Sequence, residues 1–241
     1  MNTPTLLGQG LYSLPEAARI IHTYPQNLKR WSGGYSFDLR QGQRGASRPV
    51  LLTEVLRIEG RPTLTFQQLV ELYFVGLFRS KGVKLPVIRA AAKRVSRLFG
   101  TQHPFAAKGL ATDRQQIFHI DPSEVDDLDC AAATENLALG QMVIGEFLEP
   151  YLLKLEYDSV EATRFWPLGH GRRIAMDPQR SFGQAIDVKS GVPANVLSRM
   201  VKAGESIADV ADWYGVEQEA VADAVEFGSQ LGYKHALPLA A

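Results

Sequence analysis

Two short helices separated by a brief turn open the chain, and this pattern constrains its fold more than any other. Ser13 suits the N-cap of the first helix, and Pro15 suits its first turn. Pro25 favours the start of a second short helix, which Gly33 and Gly34 end. Because only a few residues separate the two segments, they predict a helix-turn-helix.

Charge divides the 241-residue chain into two opposite parts, although its formal net charge is zero. Through Phe105 there are fifteen Lys and Arg against five Asp and Glu, whereas the rest has eleven Lys and Arg against twenty-one Asp and Glu. A basic excess of roughly ten charges favours a polyanionic partner such as a nucleic acid. We therefore expect the two parts to bind different partners.

A basic hairpin follows the second helix and is predicted to form a wing. The segment from Tyr35 to Pro49 mixes glycines with arginines, and apolar residues follow it. Thr65 then precedes one amphipathic helix, and Leu85 opens another. The inward residues of these helices are predicted to be Leu69, Leu72, Tyr73, Leu77, Val87, Ile88, Ala91, Val95 and Leu98. Arg89, Lys93 and Arg97 are predicted to form the outer face of the second of them.

The rest of the chain predicts a connecting segment and a second helical domain. The connection is expected to hold a hairpin over 110–120, an acidic loop over 124–129 and a helix over 137–153. Short strands are expected over 161–166 and 172–176. Three helical segments, over 193–203, 206–214 and 217–231, complete the chain.

The predicted fold class is therefore mainly α with small β elements. It comprises a basic winged helix-turn-helix domain over 1–105, a connecting hairpin and helix over 106–165, and an acidic trihelical domain, also helix-turn-helix-like, over 166–241.

The first helix-turn-helix carries side chains suited to double-stranded DNA. A recognition helix needs donors for base edges, and nearby cations neutralise phosphates. The predicted DNA-binding residues are Gln26, Asn27, Lys29, Arg30, Arg40, Arg44 and Arg48. The alternative is a solvated basic surface around a small trihelical core.

The second helix-turn-helix pattern carries the opposite charge. It has seven carboxylates between Glu205 and Phe227 and no Lys or Arg. Because DNA affinity depends on cations that replace condensed counterions, we expect this unit not to bind DNA. Its predicted partner-binding residues are Glu205, Asp209, Asp212, Trp213, Glu219 and Asp223. They suit a basic protein surface or self-association, and the alternative is an acidic face that only keeps the chain soluble.

No pattern predicts catalysis, a metal site or a cofactor. The single cysteine, Cys130, excludes an intramolecular disulfide and a cysteine-based zinc site. The five histidines are scattered singly, and no serine has a nucleophile-elbow context. Neither a secretory signal nor an apolar run of about 18 residues is present. We expect a non-enzymatic, cytoplasmic protein that does not enter a membrane.

Two parts of the chain resemble known families. The segments Tyr12–Arg19, Leu28–Trp31 and Gly82–Arg89, with the basic wing, resemble a MerR-type winged helix-turn-helix. The C-terminal part is similar to a small trihelical family associated with VapB-type antitoxins, in the segments Arg173–Pro178, Arg180–Gln184, Val192–Pro193, Ala203–Ile207 and Val210–Val216. The two units in this order resemble the antitoxin of a VapBC-like toxin–antitoxin pair.

The resemblance implies a DNA-binding antitoxin and transcriptional autoregulator. It implies an operator in double-stranded DNA and a PIN-like ribonuclease toxin that the protein neutralises. Because a single short recognition helix gives little specificity, we also expect a homodimer whose half-sites lie about one helical turn apart. A MerR-like, effector-responsive transcription regulator without a toxin partner is the alternative, and a pure interaction or RNA-binding adaptor is a third possibility.

Overall fold

The computed structural model describes residues 6–38, 44–112 and 148–231. Arg40, the acidic loop over 124–129 and most of the predicted 110–120 hairpin and 137–153 helix lie outside these ranges. Of Arg44, only the backbone is described.

The helix-turn-helix predicted near the N-terminus is confirmed. Strand β1 (Leu11–Ser13) leads into helix α1 (Leu14–Ile20), and α2 spans Pro25–Gly33. Ser13 caps α1 as predicted, since its Oγ accepts a hydrogen bond from the backbone N–H of Glu16 at 3.4 Å. Local capping and proline placement therefore determine where both helices begin.

Two antiparallel hairpins follow, of which only one was predicted. The predicted wing consists of β2 (Tyr35–Asp38) paired with β3 (Arg44–Ser47). A second hairpin consists of β4 (Leu56–Ile58) and β5 (Arg61–Thr65). It joins β1 in a three-stranded sheet of order β1-β5-β4, so the second hairpin is tied directly to the start of the helix-turn-helix.

Helices α3 (Phe66–Ser80) and α4 (Leu85–Phe99) form the centre of the first core. A capping box starts α3, as Thr65 Oγ1 accepts from the N–H of Gln68 and Gln68 Oε1 accepts from the N–H of Thr65. Almost every side chain of α3 is buried, and not only the predicted inward stripe. Leu98 corrects the expectation for α4, because the exposed last turn leaves its side chain 48% accessible.

The segment after α4 turns back onto this core. A 3-10 turn (Pro104–Ala106) and helix α5 (Lys108–Thr112) occupy the position where a hairpin was predicted to begin. Helix α6 (Glu149–Leu152) is the described end of the predicted 137–153 helix. Phe105, Leu110 and Leu152 are buried with α3 and α4, so the connecting segment shares the first core.

A four-stranded antiparallel sheet carries the chain into its C-terminal part. Its strands β6 (Leu155–Tyr157), β7 (Ala162–Phe165), β8 (Ile174–Met176) and β9 (Ala185–Asp187) lie in sequence order. With this sheet the described residues form three sheets, which is more than the small β elements predicted. The sheet joins strands on both sides of residue 165, the predicted domain boundary, because β7 and β8 pair there.

Three C-terminal helices confirm the predicted segments. They are α7 (Ala194–Lys202), α8 (Ile207–Tyr214) and α9 (Gln218–Gln230), and they enclose a second, smaller core. Ser206 starts α8 by accepting a hydrogen bond from the N–H of Asp209 at 3.1 Å. About half of the described chain is therefore helical, in two separate helical units.

A buried hydrogen bond fastens the two units together. Tyr12 precedes α1, and its hydroxyl donates to the carbonyl of Gly183 at 2.6 Å. Gly183 has a φ of +82°, and a Cβ there would lie 2.3 Å from the Tyr12 hydroxyl oxygen. Only glycine fits this approach, which places α1 beside the C-terminal helices.

Candidate nucleic-acid interface and partner surface

The outer face of α2 presents polar and cationic groups to solvent. Gln26, Lys29 and Arg30 are exposed, whereas Leu28 and Trp31 of the same helix are buried. The alternation follows the helical repeat, which turns residues three and four positions apart to one side. Three of the predicted DNA-binding residues therefore share one accessible face.

Asn27 corrects the prediction for this helix. Its side chain is only 3% exposed, and its Nδ2 donates to Thr23 Oγ1 at 3.1 Å. Thr23 is itself held in the turn, because its backbone N–H donates to the carbonyl of Ala18. Asn27 thus stabilises the turn between α1 and α2 and does not reach a base edge.

The β2–β3 wing extends the cationic face with aromatic groups. The Arg30 guanidinium lies over the ring of Tyr35 at 5.3 Å, a cation–π arrangement, and Tyr35 packs against Phe37. Phe37 is 42% exposed, and Arg48 is also exposed. Sequence reasoning passed over Tyr35 and Phe37, although their alternate positions on one strand were the available signal.

Arg89 fixes the wing in place. Its Nε donates to the Arg48 carbonyl at 3.1 Å, and its Nη2 donates to Ser47 Oγ. The backbone N–H of Val50 donates to the Trp31 carbonyl at 2.7 Å, which ties the end of the wing to α2. Arg89, predicted as part of a basic outer face, is therefore a brace between α4 and the wing.

The β4–β5 hairpin presents a second pair of cations. Arg57 and Arg61 are exposed on either side of its tip, and Arg57 Nη1 bonds the carbonyl of Gly60. Glu59 and Gly60 both have positive φ, as a tight two-residue hairpin requires. The Glu59-Gly60 pair was the sequence signal for this hairpin.

In the C-terminal unit, ion pairs neutralise part of the acidic surface. Asp223 is 7% exposed and accepts from Arg172 Nε at 2.8 Å, from Arg172 Nη2 at 2.6 Å and from the backbone N–H of Arg173 at 2.7 Å. Glu226 pairs with Arg172, and Glu217 pairs with Arg173 and Lys189. Asp223 therefore corrects the prediction, because it holds α9 against the strand region and is not open to a partner.

The other predicted partner-binding residues remain accessible. Glu205 is half-buried, whereas Asp209, Asp212 and Glu219 are exposed. Trp213 is 59% exposed, which is unusual for so large an aromatic side chain.

Helix α8 also exposes apolar groups that the prediction omitted. Ile207 is 37% exposed and Tyr214 is 36% exposed, on either side of Trp213 along the helix. The helical repeat places the exposed Asp209, Asp212 and Trp213 on one side of α8, and we call these three residues the α8 surface. It combines an aromatic side chain with negative charge, whereas Ile207 and Tyr214 lie on the side of the buried Val210 and Ala211.

Comparison with known proteins places these features in a family context. Residues 10–92 match a family described as "Putative DNA-binding HTH domain". The chain is 26% identical over 223 residues to "Putative antitoxin VapB45" of Mycobacterium tuberculosis (strain ATCC 25618 / H37Rv), covering 90% of this chain and 92% of that protein. The resemblance to VapB-type antitoxins is confirmed.

A solved structure shares the fold of this chain. The X-ray crystal structure of Rv2018 from Mycobacterium tuberculosis matches it with a TM-score of 0.65 and 21% identity, covering 89% of this chain and 96% of that one. The match includes both helical units, since it extends over most of each chain.

Two searches of the described residues bear on other classes of function. No cluster of His, Cys, Asp and Glu there could hold a metal ion. Within the same residues, no helix is both long and apolar enough to cross a membrane.

Proposed function

We propose that this protein is a DNA-binding antitoxin and transcriptional autoregulator that neutralises a PIN-like ribonuclease toxin. One observation carries the proposal: α2 exposes Gln26, Lys29 and Arg30 on one face, and Arg89 and the Tyr35 ring hold the wing beside it. The proposed neutralisation of a toxin is supported by the antitoxin name of a relative that aligns with nearly the whole chain.

The DNA contact is proposed to use α2 in the major groove. Gln26 is the candidate for reading a base edge, and Lys29 and Arg30 are candidates for phosphate or guanine. Arg48, with Arg40 and Arg44 of the wing, is proposed to follow the backbone. One short recognition helix reads few bases, so we propose a two-fold homodimer on a palindromic operator.

The toxin contact is proposed to use the α8 surface. A nuclease that binds RNA needs a basic groove, and Asp209 and Asp212 supply the opposite charge. Trp213 supplies the kind of large aromatic contact that dominates binding energy at many interfaces.

Measurements of duplex binding test the proposed DNA-binding function. The full chain should bind the duplex upstream of its own gene more tightly than a scrambled duplex, and contact with about six phosphates gives a slope near −5 for log K against log salt. Equal affinity for both duplexes, or a preference for single strands, would contradict autoregulation.

Copurification tests the proposed neutralisation of a toxin. The product of the adjacent gene, expressed with this chain, should copurify as a stable complex and lose its RNA cleavage activity. A well-folded nuclease that keeps its activity when mixed with this chain would remove the antitoxin assignment and leave the DNA half intact.

A further inference from the structure

A cleft of about 430 Å³ lies between the helix-turn-helix and the C-terminal helices. Residues from α1, α7 and α9 line it, together with Tyr12 and parts of β8 and β9. Its volume falls within the range of small-molecule sites, roughly 300–1,000 Å³. The cleft is therefore large enough for a metabolite, and it lies where the two units meet.

Helix α7 turns one continuous polar face toward this cleft. Asn195, Ser198, Arg199 and Lys202 all line it, and their spacing places them on the same side of a helix. Opposite them, α1 contributes Arg19. The wall is thus built from cationic and hydrogen-bonding groups on two facing helices.

Arg199 and Lys202 stand apart from the other cations of the C-terminal part. Within residues 148–231, neither side chain makes a hydrogen bond or an ion pair with another described residue. The remaining Lys and Arg of that range all have partners, and they are Lys154, Arg164, Arg172, Arg173, Arg180 and Lys189. Two cations without partners among the described residues, in an otherwise acidic unit, face the same cleft.

The cleft has a net positive charge and an apolar floor. Arg19, Arg199 and Lys202 face one carboxylate, that of Glu16, which leaves an excess of two positive charges. Burial raises the pKa of Glu16 above its ordinary value, while a hydrogen bond from the Ser13 cap and the charge of Arg19 act in the opposite direction. Apolar groups, among them those of Met176 and Phe227, line the rest.

We propose that this cleft binds a small organic phosphate. A phosphate monoester carries about −1.5 to −2 charges at neutral pH, which matches the excess of the cleft, and its three oxygens can accept from Arg199, Lys202 and Arg19. The organic part would lie on the apolar floor. Such a ligand would bridge α1 of the helix-turn-helix and α7 of the C-terminal unit, so it would link the two halves of the molecule.

A nucleic-acid backbone is the competing occupant, because it offers the same phosphate chemistry. Duplex DNA presents phosphates on a convex, fully polar surface. The apolar side chains at the base of a concave cleft favour a small ligand with an apolar body instead.

Calorimetric titration of the full chain tests the proposal with three probes: phenyl phosphate, inorganic phosphate and phenol. Phenyl phosphate should bind saturably at one site per chain and more tightly than either of the other two. The double variant Arg199→Gln/Lys202→Gln should weaken its binding at least about tenfold, since two charge-assisted hydrogen bonds are lost. The matched control Lys108→Gln/Lys189→Gln removes two exposed cations outside the cleft and should leave the affinity unchanged.

Three outcomes would overturn the proposal. They are the absence of saturable binding of phenyl phosphate, equal affinity for inorganic phosphate or phenol, and an equal loss in the control variant. If phenyl phosphate fails to bind while Arg199→Gln/Lys202→Gln weakens duplex binding, the cleft cations contact DNA and not a metabolite. Thermal unfolding of each variant confirms that a lost affinity reflects the site and not the fold.

Discussion

The two helical units of this protein differ in how their charged side chains are used. In α2, Lys29 and Arg30 project from the surface, and Arg30 is placed against the ring of Tyr35. In α9, Asp223 and Glu226 are held by Arg172 from outside the helix. The first unit leaves the cations of α2 exposed, whereas part of the charge of the second unit lies in internal ion pairs.

This difference shows that a helix-turn-helix pattern in a sequence does not by itself predict a partner. A count of acidic residues overstates the charge that the C-terminal unit offers, because some carboxylates are already neutralised. Its remaining accessible feature is the α8 surface, where Trp213 stands beside Asp209 and Asp212.

The largest expected effect comes from reversing the charge on the exposed face of α2. Lys29→Glu/Arg30→Glu should lower duplex affinity by at least about 100-fold and reduce the salt slope by about two, since each lost phosphate contact contributes roughly 0.9. Fluorescence anisotropy over a salt series measures both values. Lys108→Glu/Lys189→Glu, at two exposed lysines outside the helix-turn-helix, is the control, and a similar loss there would show that only total charge matters.

Removing the exposed tryptophan of α8 should have the opposite selectivity, because it should affect protein binding and not DNA binding. Trp213→Ala should weaken binding of the adjacent gene's product by about 30-fold, which corresponds to a hot-spot contribution of about 2 kcal/mol. Duplex affinity should not change. Phe182→Ala removes another aromatic side chain, 58% exposed but outside α8, and serves as the control in a surface plasmon resonance assay. Normal toxin binding by Trp213→Ala would place the toxin contact elsewhere.

The carboxylate of Asp223, which Arg172 neutralises, should contribute to stability, whereas the exposed carboxylate of Glu219 should not. Asp223→Ala should lower the free energy of unfolding by about 2 kcal/mol, less than the loss of a fully buried ion-pair partner because Arg172 is partly exposed. Glu219→Ala should change it by less than about 0.5 kcal/mol. Urea denaturation compares the two, and equal effects would mean that the ion pair contributes no more than an ordinary surface residue.

A pH dependence of stability is expected to have opposite signs in the two units. In the first core, Glu71 is wholly buried with its Oε2 2.9 Å from His103 Nδ1, and burial raises the pKa of Glu71 to about 7 even though the hydrogen bond from His103 opposes the rise. A raised pKa means that the folded state holds the proton more tightly, so stability should fall as pH rises from about 4.5 to about 7.

The pH dependence of stability that arises from Asp187, in the second unit, has the opposite sign. Burial alone would raise its pKa, but hydrogen bonds from Ser190 and the charge of Arg173 leave the pKa below the usual value of 3.8. Its stabilising contribution is therefore lost only in acid, as the pH falls below about 4. Amide hydrogen exchange between about pH 2 and pH 8 would resolve the two units, and Glu71→Gln should flatten the dependence in the first. An unchanged slope in that variant would assign the effect to other groups.

Much of the local structure could be predicted from the sequence, because caps and prolines act over a few residues. Ser13, Pro25 and Ser206 mark helix starts that the structure confirms. The β4–β5 hairpin was missed because its strands are short and Pro62 interrupts the usual strand pattern. Leu98 was misplaced because helical periodicity does not show where a core stops.

The candidate sites were predicted less completely, because residue type does not reveal accessibility. Asn27 has the right chemistry for a base contact, but its amide donates a hydrogen bond to Thr23 in the turn. Ile207 and Tyr214 were omitted because apolar residues in a short helix suggest core positions, and only the packing of α8 shows that more than a third of each side chain stays exposed.

By itself the sequence determined the positions of the helical units and the opposite charges of the two parts, since both follow from local signals and composition. The tertiary structure decided which charges remain available to partners. Arg172 and Asp223 are 51 positions apart in the chain, and Tyr12 and Gly183 are 171 apart. The neutralised carboxylates and the cleft between the units both depend on such contacts between residues distant in sequence, which form only when the whole chain packs.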